Sequence, residues 1–233
     1  MTTTKNIMKI SKQTLAVLKN FTSINSNMLV KPGSSISTVA PAKNIMAEAT
    51  LAETFDTEFG IWDMNKFLGT VSLFKDPEFE FHDKFLTLCG SSNKSVLKYY
   101  YSEPKLLTVP TKKITMPDAA ITFDLTEALF DEIVRASSVL QLPHLSITKN
   151  EDGSKIIGVV RDLMDPTCNS YTVNLGDCST PATFKFDFRI ENLKFMPGEY
   201  EVKIAKSAIS QFTHKDIPLK YWVALETSSS YTA

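Results

Sequence analysis

The fold prediction rests on a helix near the start of the chain. Residues 11–24 read SKQTLAVLKNFTSI. Ser11 is a favourable N-cap, and at about 100° per residue the apolar side chains of this stretch fall on one face. Lys12 and Lys19 lie seven residues apart and project from the opposite face nearly in line. We therefore predict an amphipathic helix over 12–24 that carries two ammonium groups on one flank.

Charge is distributed unevenly along the chain. Its 233 residues include 25 Lys or Arg and 26 Asp or Glu, which gives a net charge of −1. With 43% hydrophobic residues, this composition favours a folded protein of about two domains over a disordered one. Residues 1–47 nevertheless contain six lysines and no acid, and Glu48 is the first acid. Such a segment can bind a polyanion, although a solvated basic face is the alternative.

The second half of the chain resembles the first. A second helix is predicted to begin near Asp124, where Glu127 completes a pattern similar to a capping box. The apolar face of this helix comprises Leu125, Leu129, Ile133, Ala136 and Leu140. A short apolar strand follows each helix, at 28–30 and at 144–147. The offset is about half the chain length, so the pattern predicts an internal duplication.

Short helices and strands extend this correspondence. Residues 59–68 and 184–195 each read as a strand that runs into a short helix. Further strands are predicted at 95–101, 155–160, 171–175, 200–204 and 220–225, with a hairpin turn at Asp152-Gly153. We therefore predict an α+β fold in which each half has a long helix, several strands, a short helix and more strands.

A proline-rich segment separates the two halves. Three prolines lie between Glu103 and Pro117, and proline cannot donate a hydrogen bond to a sheet. We predict an N-terminal domain over 1–104, a linker over 105–117 and a C-terminal domain over 118–233.

Catalytic and metal-binding motifs are not apparent in the sequence. Neither glycine-rich phosphate-binding pattern occurs, and no apolar run approaches the roughly 20 residues that span a bilayer. The histidines and cysteines do not group into a metal-binding pattern along the sequence. They are His82, His144 and His214, and Cys89, Cys168 and Cys178. Free, mostly buried thiols and a reducing compartment are expected. Residues 1–10 lack the apolar core of a secretory signal. We predict no cofactor, no metal and no enzymatic activity.

Four blocks of sequence resemble a known family. They cover residues 9–26, 62–73, 192–200 and 221–226, in order along nearly the whole chain. Together they resemble the sliding clamps of T-even-type bacteriophages, which are similar in fold to proliferating cell nuclear antigen. In this comparison, residues 1–8 are an N-terminal extension.

The resemblance implies a fold and a function. It implies two similar clamp-type domains in each of three subunits, which form a six-domain ring with helices inside and sheets outside. Such a homotrimer encircles double-stranded DNA without sequence preference and tethers the phage DNA polymerase. The implied further partners are an ATP-dependent clamp loader and late-transcription factors, in the cytoplasm of the infected bacterial host.

The resemblance and the charge pattern together nominate three groups of residues. The expected DNA-facing residues are Lys9, Lys12, Lys19, Lys66, Arg135 and Lys194, with more positive charge in the first half. The implied partner-peptide pocket comprises Leu106, Leu107 and Val109 with Trp222, Ala224 and Leu225, although Trp222 and Leu225 could equally be core residues. The implied subunit interface pairs Val96, Tyr99, Tyr100 and Tyr101 with Tyr171 and Val173.

Two other classes of protein fit parts of the sequence. A β-rich structural oligomer of a phage would also show strands, a duplication and no catalytic motif, but it would need no lysine-lined helix. A hydrolase could assemble its site from residues scattered along the chain, although no motif indicates one.

Overall fold

A computed structural model describes residues 7–90 and 95–233 of the chain. The chain divides into two compact units, Met1–Lys112 and Lys113–Ala233. This division falls inside the segment 105–117 that the sequence analysis assigns to a linker. Over 107–117 the backbone forms neither helix nor strand.

Unit 1 is built from strands, two α-helices and a 3-10 helix. In chain order its elements are β1 (Ile7–Lys9), α1 (Lys12–Ile24), β2 (Met28–Val30), β3 (Gly33–Val39), β4 (Ile45–Phe55), β5 (Phe59–Ile61), α2 (Met64–Val71), β6 (Glu78–Phe81), β7 (Phe85–Cys89), β8 (Val96–Tyr100) and a 3-10 helix (Pro104–Leu106). Strands β1, β6, β7 and β8 form an antiparallel sheet in that order, while β2 pairs with β5 and β3 pairs with β4. Phe21, Met64 and Phe79 are fully buried, so both α-helices and the sheet contribute to the core.

Unit 2 has a matching set of elements. They are β9 (Ala119–Leu125), α3 (Glu127–Leu140), β10 (His144–Lys149), β11 (Lys155–Arg161), β12 (Tyr171–Asp177), β13 (Thr183–Arg189), a 3-10 helix (Ile190–Asn192), β14 (Tyr200–Ala205), β15 (Ile209–His214), β16 (Leu219–Ala224) and β17 (Ser230–Thr232). One sheet has the order β12-β11-β10-β13-β17, and β9, β14, β15 and β16 are neighbours in that order. The rings of Phe188, Tyr200 and Tyr221 are fully buried here.

The two units share one topology. Each runs strand, long helix, four strands, short helix, three strands, after which unit 1 adds the 3-10 helix and unit 2 adds β17. The order β1-β6-β7-β8 in unit 1 corresponds to β9-β14-β15-β16 in unit 2, and the pair β2–β5 corresponds to β10–β13. The predicted α+β fold with two similar domains is confirmed, and the repeated pairing supports an internal duplication.

The starts of the two long helices differ in how well they were predicted. Helix α1 begins at Lys12, and the Ser11 hydroxyl accepts a hydrogen bond from Thr14 N at 3.2 Å, as the sequence indicates. The predicted start of α3 near Asp124 is wrong, because its N-cap is Thr126, whose hydroxyl accepts from Leu129 N at 3.3 Å. Asp124 lies in β9, where pairing with β14 keeps the chain extended through Leu125.

Further differences concern the N-terminus and the strands. Ile7 and Met8, in the predicted N-terminal extension, pair with β6 and are therefore part of the folded unit. Residues 1–6 lie outside the described part of the chain. The predicted strands at 28–30, 95–101, 144–147, 155–160, 171–175, 200–204 and 220–225 are present to within a few residues. Strands β3 and β4 were not predicted, because the serines of β3 and the alanines of β4 give little β signal.

Three further expectations concern membrane-spanning helices, metal sites and the exposure of the thiols. Within 7–90 and 95–233, no helix is long and apolar enough to cross a membrane. Over the same ranges, no group of three or more His, Cys, Asp and Glu side chains could hold a metal ion. The cysteines are free thiols of intermediate exposure and not buried, which corrects that part of the expectation.

Candidate nucleic-acid interface

The exposed face of α1 is basic. Its buried residues are Thr14, Val17, Leu18, Phe21 and Ile24, all on one side of the helix. Lys12 and Lys19 are exposed on the other side, about two turns apart. Neither ammonium group has an ion-pair partner among the described residues, and the helix contains no acid. Their positive charge is therefore uncompensated and available to an anion.

An acid outside the helix holds the start of α1. Glu53 on β4 accepts hydrogen bonds from the backbone N–H of Ser11 and, at 2.5 Å, from the hydroxyl of Thr14. Although burial acts in the opposite direction, these hydrogen bonds lower the pKa of Glu53 below its usual value. Because the carboxylate points at the N-terminal end of α1, it also complements the helix dipole. Sequence reasoning missed this residue, since the contact joins distant segments.

Helix α2 adds a third exposed lysine. Asp63 caps this helix by accepting from Lys66 N at 2.9 Å, and the side chain of Lys66 is exposed with no ion-pair partner among the described residues. Met64 N donates to Ser26 O at 2.8 Å, which ties the start of α2 to the segment just after α1. Three uncompensated lysines therefore lie on the exposed faces of two helices in contact with each other.

Lys9 differs from the other lysines of unit 1. It lies on β1 and not on a helix, and its ammonium group is 3.3 Å from a carboxylate oxygen of Glu78 on β6. Because this exposed ion pair compensates its charge in part, Lys9 is a weaker candidate for binding an anion.

The counterparts in unit 2 are less basic. Arg135 is exposed on α3, but Glu127 and Asp131 are exposed on the same helix. Lys194 is exposed just beyond the short 3-10 helix and not on it. Among the long helices, α1 has two lysines and no acid, whereas α3 has three acids and one arginine.

The linker residues of the nominated pocket are held against unit 1. Leu107 is buried beside Gly60, where an added Cβ would lie 2.7 Å from Leu107 Cδ1. Asn25 Nδ2 donates to Thr108 O, and Thr108 N donates to Asn27 Oδ1, each at 3.0 Å. Both the carbonyl and the N–H of Thr108 are therefore hydrogen-bonded, which anchors the linker at this residue. The sequence offered no signal for this role of the two asparagines.

The nominated pocket residues differ in accessibility. In unit 1, Leu106 is 59% exposed and Val109 is half-buried. In unit 2, Ala224 is exposed, while Trp222 and Leu225 are buried. Trp222 Nε1 donates to Gln211 Oε1 at 3.1 Å, so its polar atom is already satisfied by a neighbouring strand. Leu106 and Ala224 are the members most open to a partner.

The nominated interface residues lie on two strands at sheet edges. Strand β8 is last in β1-β6-β7-β8, and β12 is first in β12-β11-β10-β13-β17. Val96 and Tyr100 point outward and are each 64% exposed. Tyr99 and Tyr101 point inward, with ring centroids 5.1 Å from Phe67 and 5.4 Å from Phe59, and burial raises the pKa of Tyr101 to about 12.

Strand β12 presents its residues in the same alternating way. The Tyr171 hydroxyl donates to Glu132 Oε1 on α3 at 2.5 Å, and this hydrogen bond to a carboxylate raises the pKa of Tyr171. Val173 is buried. Both strands therefore lie at the edge of a sheet, where their backbone can pair with another strand. About half of their side chains already pack within the subunit.

Known proteins match the chain over almost its entire length. A family model described as DNA polymerase processivity factor matches residues 9–102, and one described as gp45 sliding clamp, C terminal, matches residues 122–227. The sliding clamp of Enterobacteria phage T4 is 30% identical over 227 residues, covering 96% of this chain and 99% of that protein. The sliding clamp of Vibrio phage KVP40 is 28% identical, covering 94% and 99%.

Solved structures with a similar fold also come from organisms other than phages. Proliferating cell nuclear antigen from Thermococcus kodakaraensis superimposes with a TM-score of 0.69 at 10% identity, covering 94% of this chain and 98% of that one. The β clamp of Helicobacter pylori gives 0.70 at 9% identity, covering 97% and 68%. The fold and both family matches define a DNA polymerase processivity factor. The chain belongs to the sliding clamp family, as the sequence resemblance indicates.

Proposed function

We propose that three copies of this chain form a closed ring that encircles duplex DNA and tethers the phage DNA polymerase. The observation that carries this proposal is the exposed basic face of α1 and α2, with Lys12, Lys19 and Lys66 uncompensated in a chain of net charge −1. A ring that slides must not read bases, because a base contact would hold it at one sequence. Lysines that attract phosphates give the weak, sequence-independent attraction required.

The proposed DNA-facing residues differ in expected importance. Lys12 and Lys19 come first, and Lys66 follows. Lys9 is weakened by its contact with Glu78. Arg135 and Lys194 complete the set from unit 2, where the acids of α3 reduce the attraction to phosphate.

Closure of the ring is proposed through strand edges. An open edge offers unpaired backbone groups and invites aggregation unless it is covered. Pairing of β8 in one subunit with β12 in the next is a head-to-tail contact, which closes into a ring when the rotation fits. Val96, Tyr100 and Tyr171 then flank the contact, and three subunits bring six domains into the ring.

Partner binding is proposed beside the linker. Leu106, Leu107 and Val109 with Trp222, Ala224 and Leu225 remain the proposed pocket for a short peptide of the DNA polymerase, the clamp loader or late-transcription factors. Leu106 is the most exposed apolar member, so it is the best anchor for testing this assignment. Replacement of Leu106 by Ser should weaken peptide binding while retention on DNA stays unchanged.

The chain itself is proposed to act only by binding, without catalysis or a cofactor, in the cytoplasm of the infected bacterium. The energy for opening the ring then comes from the ATP-dependent loader. A closed ring stays on DNA because it surrounds it, so its lysines need to bind DNA only weakly.

Two measurements test the proposed function. Native mass spectrometry should give three subunits. Clamps loaded on circular DNA should stay bound until the DNA is linearised. A monomer, or equal retention before and after linearisation, would contradict the ring. An oligomer of another size that does not respond to DNA would instead support a β-rich phage structural protein.

A further inference from the structure

Trp62 is an exposed tryptophan in a well-packed region of unit 1. Its side chain is 57% exposed, whereas Ile61 directly before it and Met64 two residues after it are almost completely buried. The other tryptophan of the chain, Trp222, is 5% exposed and hydrogen-bonded. The indole N–H of Trp62 has no partner among the described residues. A large flat ring left in water with a free donor is typical of a contact surface.

Trp62 lies between the end of α1 and the start of α2. It immediately precedes Asp63, the N-cap of α2. Strand pairing sets Ile61 opposite Met28, and Met64 N donates to Ser26 O at 2.8 Å. Trp62 is therefore flanked by the start of α2 on one side and by the turn that follows α1 on the other.

The charge around this position selects the kind of partner. Neither α1 nor α2 contains an acid, and their exposed faces carry Lys12, Lys19 and Lys66. The carboxylate of Asp63, next to Trp62, keeps its negative charge while it accepts from Lys66 N, and the positive end of the α2 dipole offsets that charge in part. With three lysines against this one acid, the exposed surface of the two helices favours a polyanion over a basic peptide. The complement of this surface is the sugar-phosphate backbone of a nucleic acid.

We propose that Trp62 is a non-ionic contact to the DNA backbone, in addition to the phosphate contacts of the three lysines. This inference rests on the proposed function. Bases in a duplex are stacked and inaccessible to an indole ring, so the ring packs on deoxyribose and its N–H donates to a phosphate oxygen. Such a contact carries no sequence information, and it releases no condensed counterion. It therefore adds affinity without adding salt dependence.

Salt titration separates this contact from those of the lysines. Binding of the full-length protein to a short fluorescent duplex is measured by anisotropy over a series of salt concentrations. Trp62→Ala should weaken binding by roughly two- to tenfold at every salt concentration with an unchanged slope, as expected for removal of a partly buried indole ring. Lys66→Gln should instead make the slope shallower, by about 0.9 for each phosphate that is no longer neutralised.

A matched control is Leu73→Ala, since Leu73 is 72% exposed just beyond the end of α2. It should leave binding unchanged. If Trp62→Ala behaves like Leu73→Ala, or if it changes the slope as Lys66→Gln does, the proposal is wrong.

Tryptophan fluorescence gives a second test that does not depend on affinity. Loading on circular DNA should shield Trp62 from quenching by acrylamide, and Trp62→Phe should abolish the DNA-dependent change because Trp222 is already buried. Shielding by the polymerase but not by DNA would overturn the proposal in favour of a protein contact. Retention on circular DNA with no shielding refutes only the role of Trp62, whereas failure of retention refutes the proposed function itself.

Discussion

The carboxylate of Glu53 supplies what the first turn of α1 lacks. That turn contains no acid, and it begins with Lys12, whose charge is unfavourable next to the positive end of the helix dipole. Glu53 reaches the turn from β4 and accepts from Ser11 and Thr14. One residue thus allows the lysine to stay at the helix start, where it remains free to bind an anion.

Replacement of Glu53 by Gln should destabilise unit 1 by about 1 kcal/mol at neutral pH, because hydrogen bonds to a charged acceptor are removed at a partly exposed site. The pKa of this carboxyl is lowered in the folded protein. Its contribution is therefore present above the unfolded value near 4.5 and is lost as pH falls below it. Urea unfolding at pH 7 and below pH 4 measures both effects.

The control for this prediction is Glu58→Gln, because Glu58 is exposed with no partner among the described residues. It should change stability little. If the difference between wild type and Glu53→Gln were the same at both pH values, the capping role of the charge would be refuted.

Trp222 is buried, so its replacement is expected to affect protein stability before it affects partner binding. Since it is buried with its N–H bonded to Gln211, Trp222→Ala should destabilise the protein by about 3–5 kcal/mol. Trp222→Phe should retain most of the stability, and chemical denaturation measures both. A stable Trp222→Ala protein with intact secondary structure would show that the ring serves a partner more than the core.

At the scale of the element, the linker is held by the turn between α1 and β2. Asn25 is buried, and its amide donates to the carbonyls of Val39 and Thr108, each at 3.0 Å. Asn27 accepts from Thr108 N. Leu107 packs over Gly60, where only a residue without a side chain fits. A segment without helix or strand is therefore ordered by specific contacts to unit 1.

Loss of one amide should loosen this segment without unfolding the unit. Asn27→Ala leaves Thr108 N without its acceptor, so hydrogen exchange at the Thr108 amide should become at least tenfold faster, which corresponds to a decrease in protection of about 1.4 kcal/mol. Hydrogen exchange followed by mass spectrometry or NMR measures the rate at the Thr108 amide. Asn65→Ala on the exposed side of α2 is the control, and equal exchange in both variants would contradict the anchoring role.

At the scale of the whole molecule, local charge matters more than net charge. The chain is nearly neutral, yet the exposed faces of α1 and α2 carry three lysines without acids. Because screening limits interactions to about 10 Å at moderate salt, a phosphate near these helices responds to those lysines more than to distant acids. A protein with a net charge of −1 can in this way bind a polyanion.

Charge reversal tests this surface directly. Lys12→Glu combined with Lys19→Glu should weaken binding of the proposed ring to DNA by at least tenfold at moderate salt and leave the subunit count unchanged, because α1 buries its other face. Lys31→Glu with Lys43→Glu changes the net charge by the same amount outside the helices and is the matched control. Equal weakening in both double variants would assign the effect to overall charge and not to α1.

Much of the fold could be predicted from local pattern. The period of residues 12–24 and the cap at Ser11 predicted α1 correctly. Alternation predicted strands such as β14, and Asp152-Gly153 marked the turn between β10 and β11. The start of α3 was misplaced because Asp124 is both a good cap and a tolerable strand residue, and pairing with β14 decided between the two. Strands β3 and β4 were missed because their stability comes from pairing more than from propensity.

By itself, the sequence determined the basic helix, the duplicated order of elements and the family. These follow from periodicity, composition and matching blocks of residues, all of which are local or cumulative along the chain. The tertiary structure alone decided that Glu53 caps α1, that two asparagines anchor Thr108, and that Trp222 is buried while Trp62 is exposed. Each of these depends on which distant segments pack together, because burial and hydrogen bonding are properties of neighbours in space and not of neighbours in sequence.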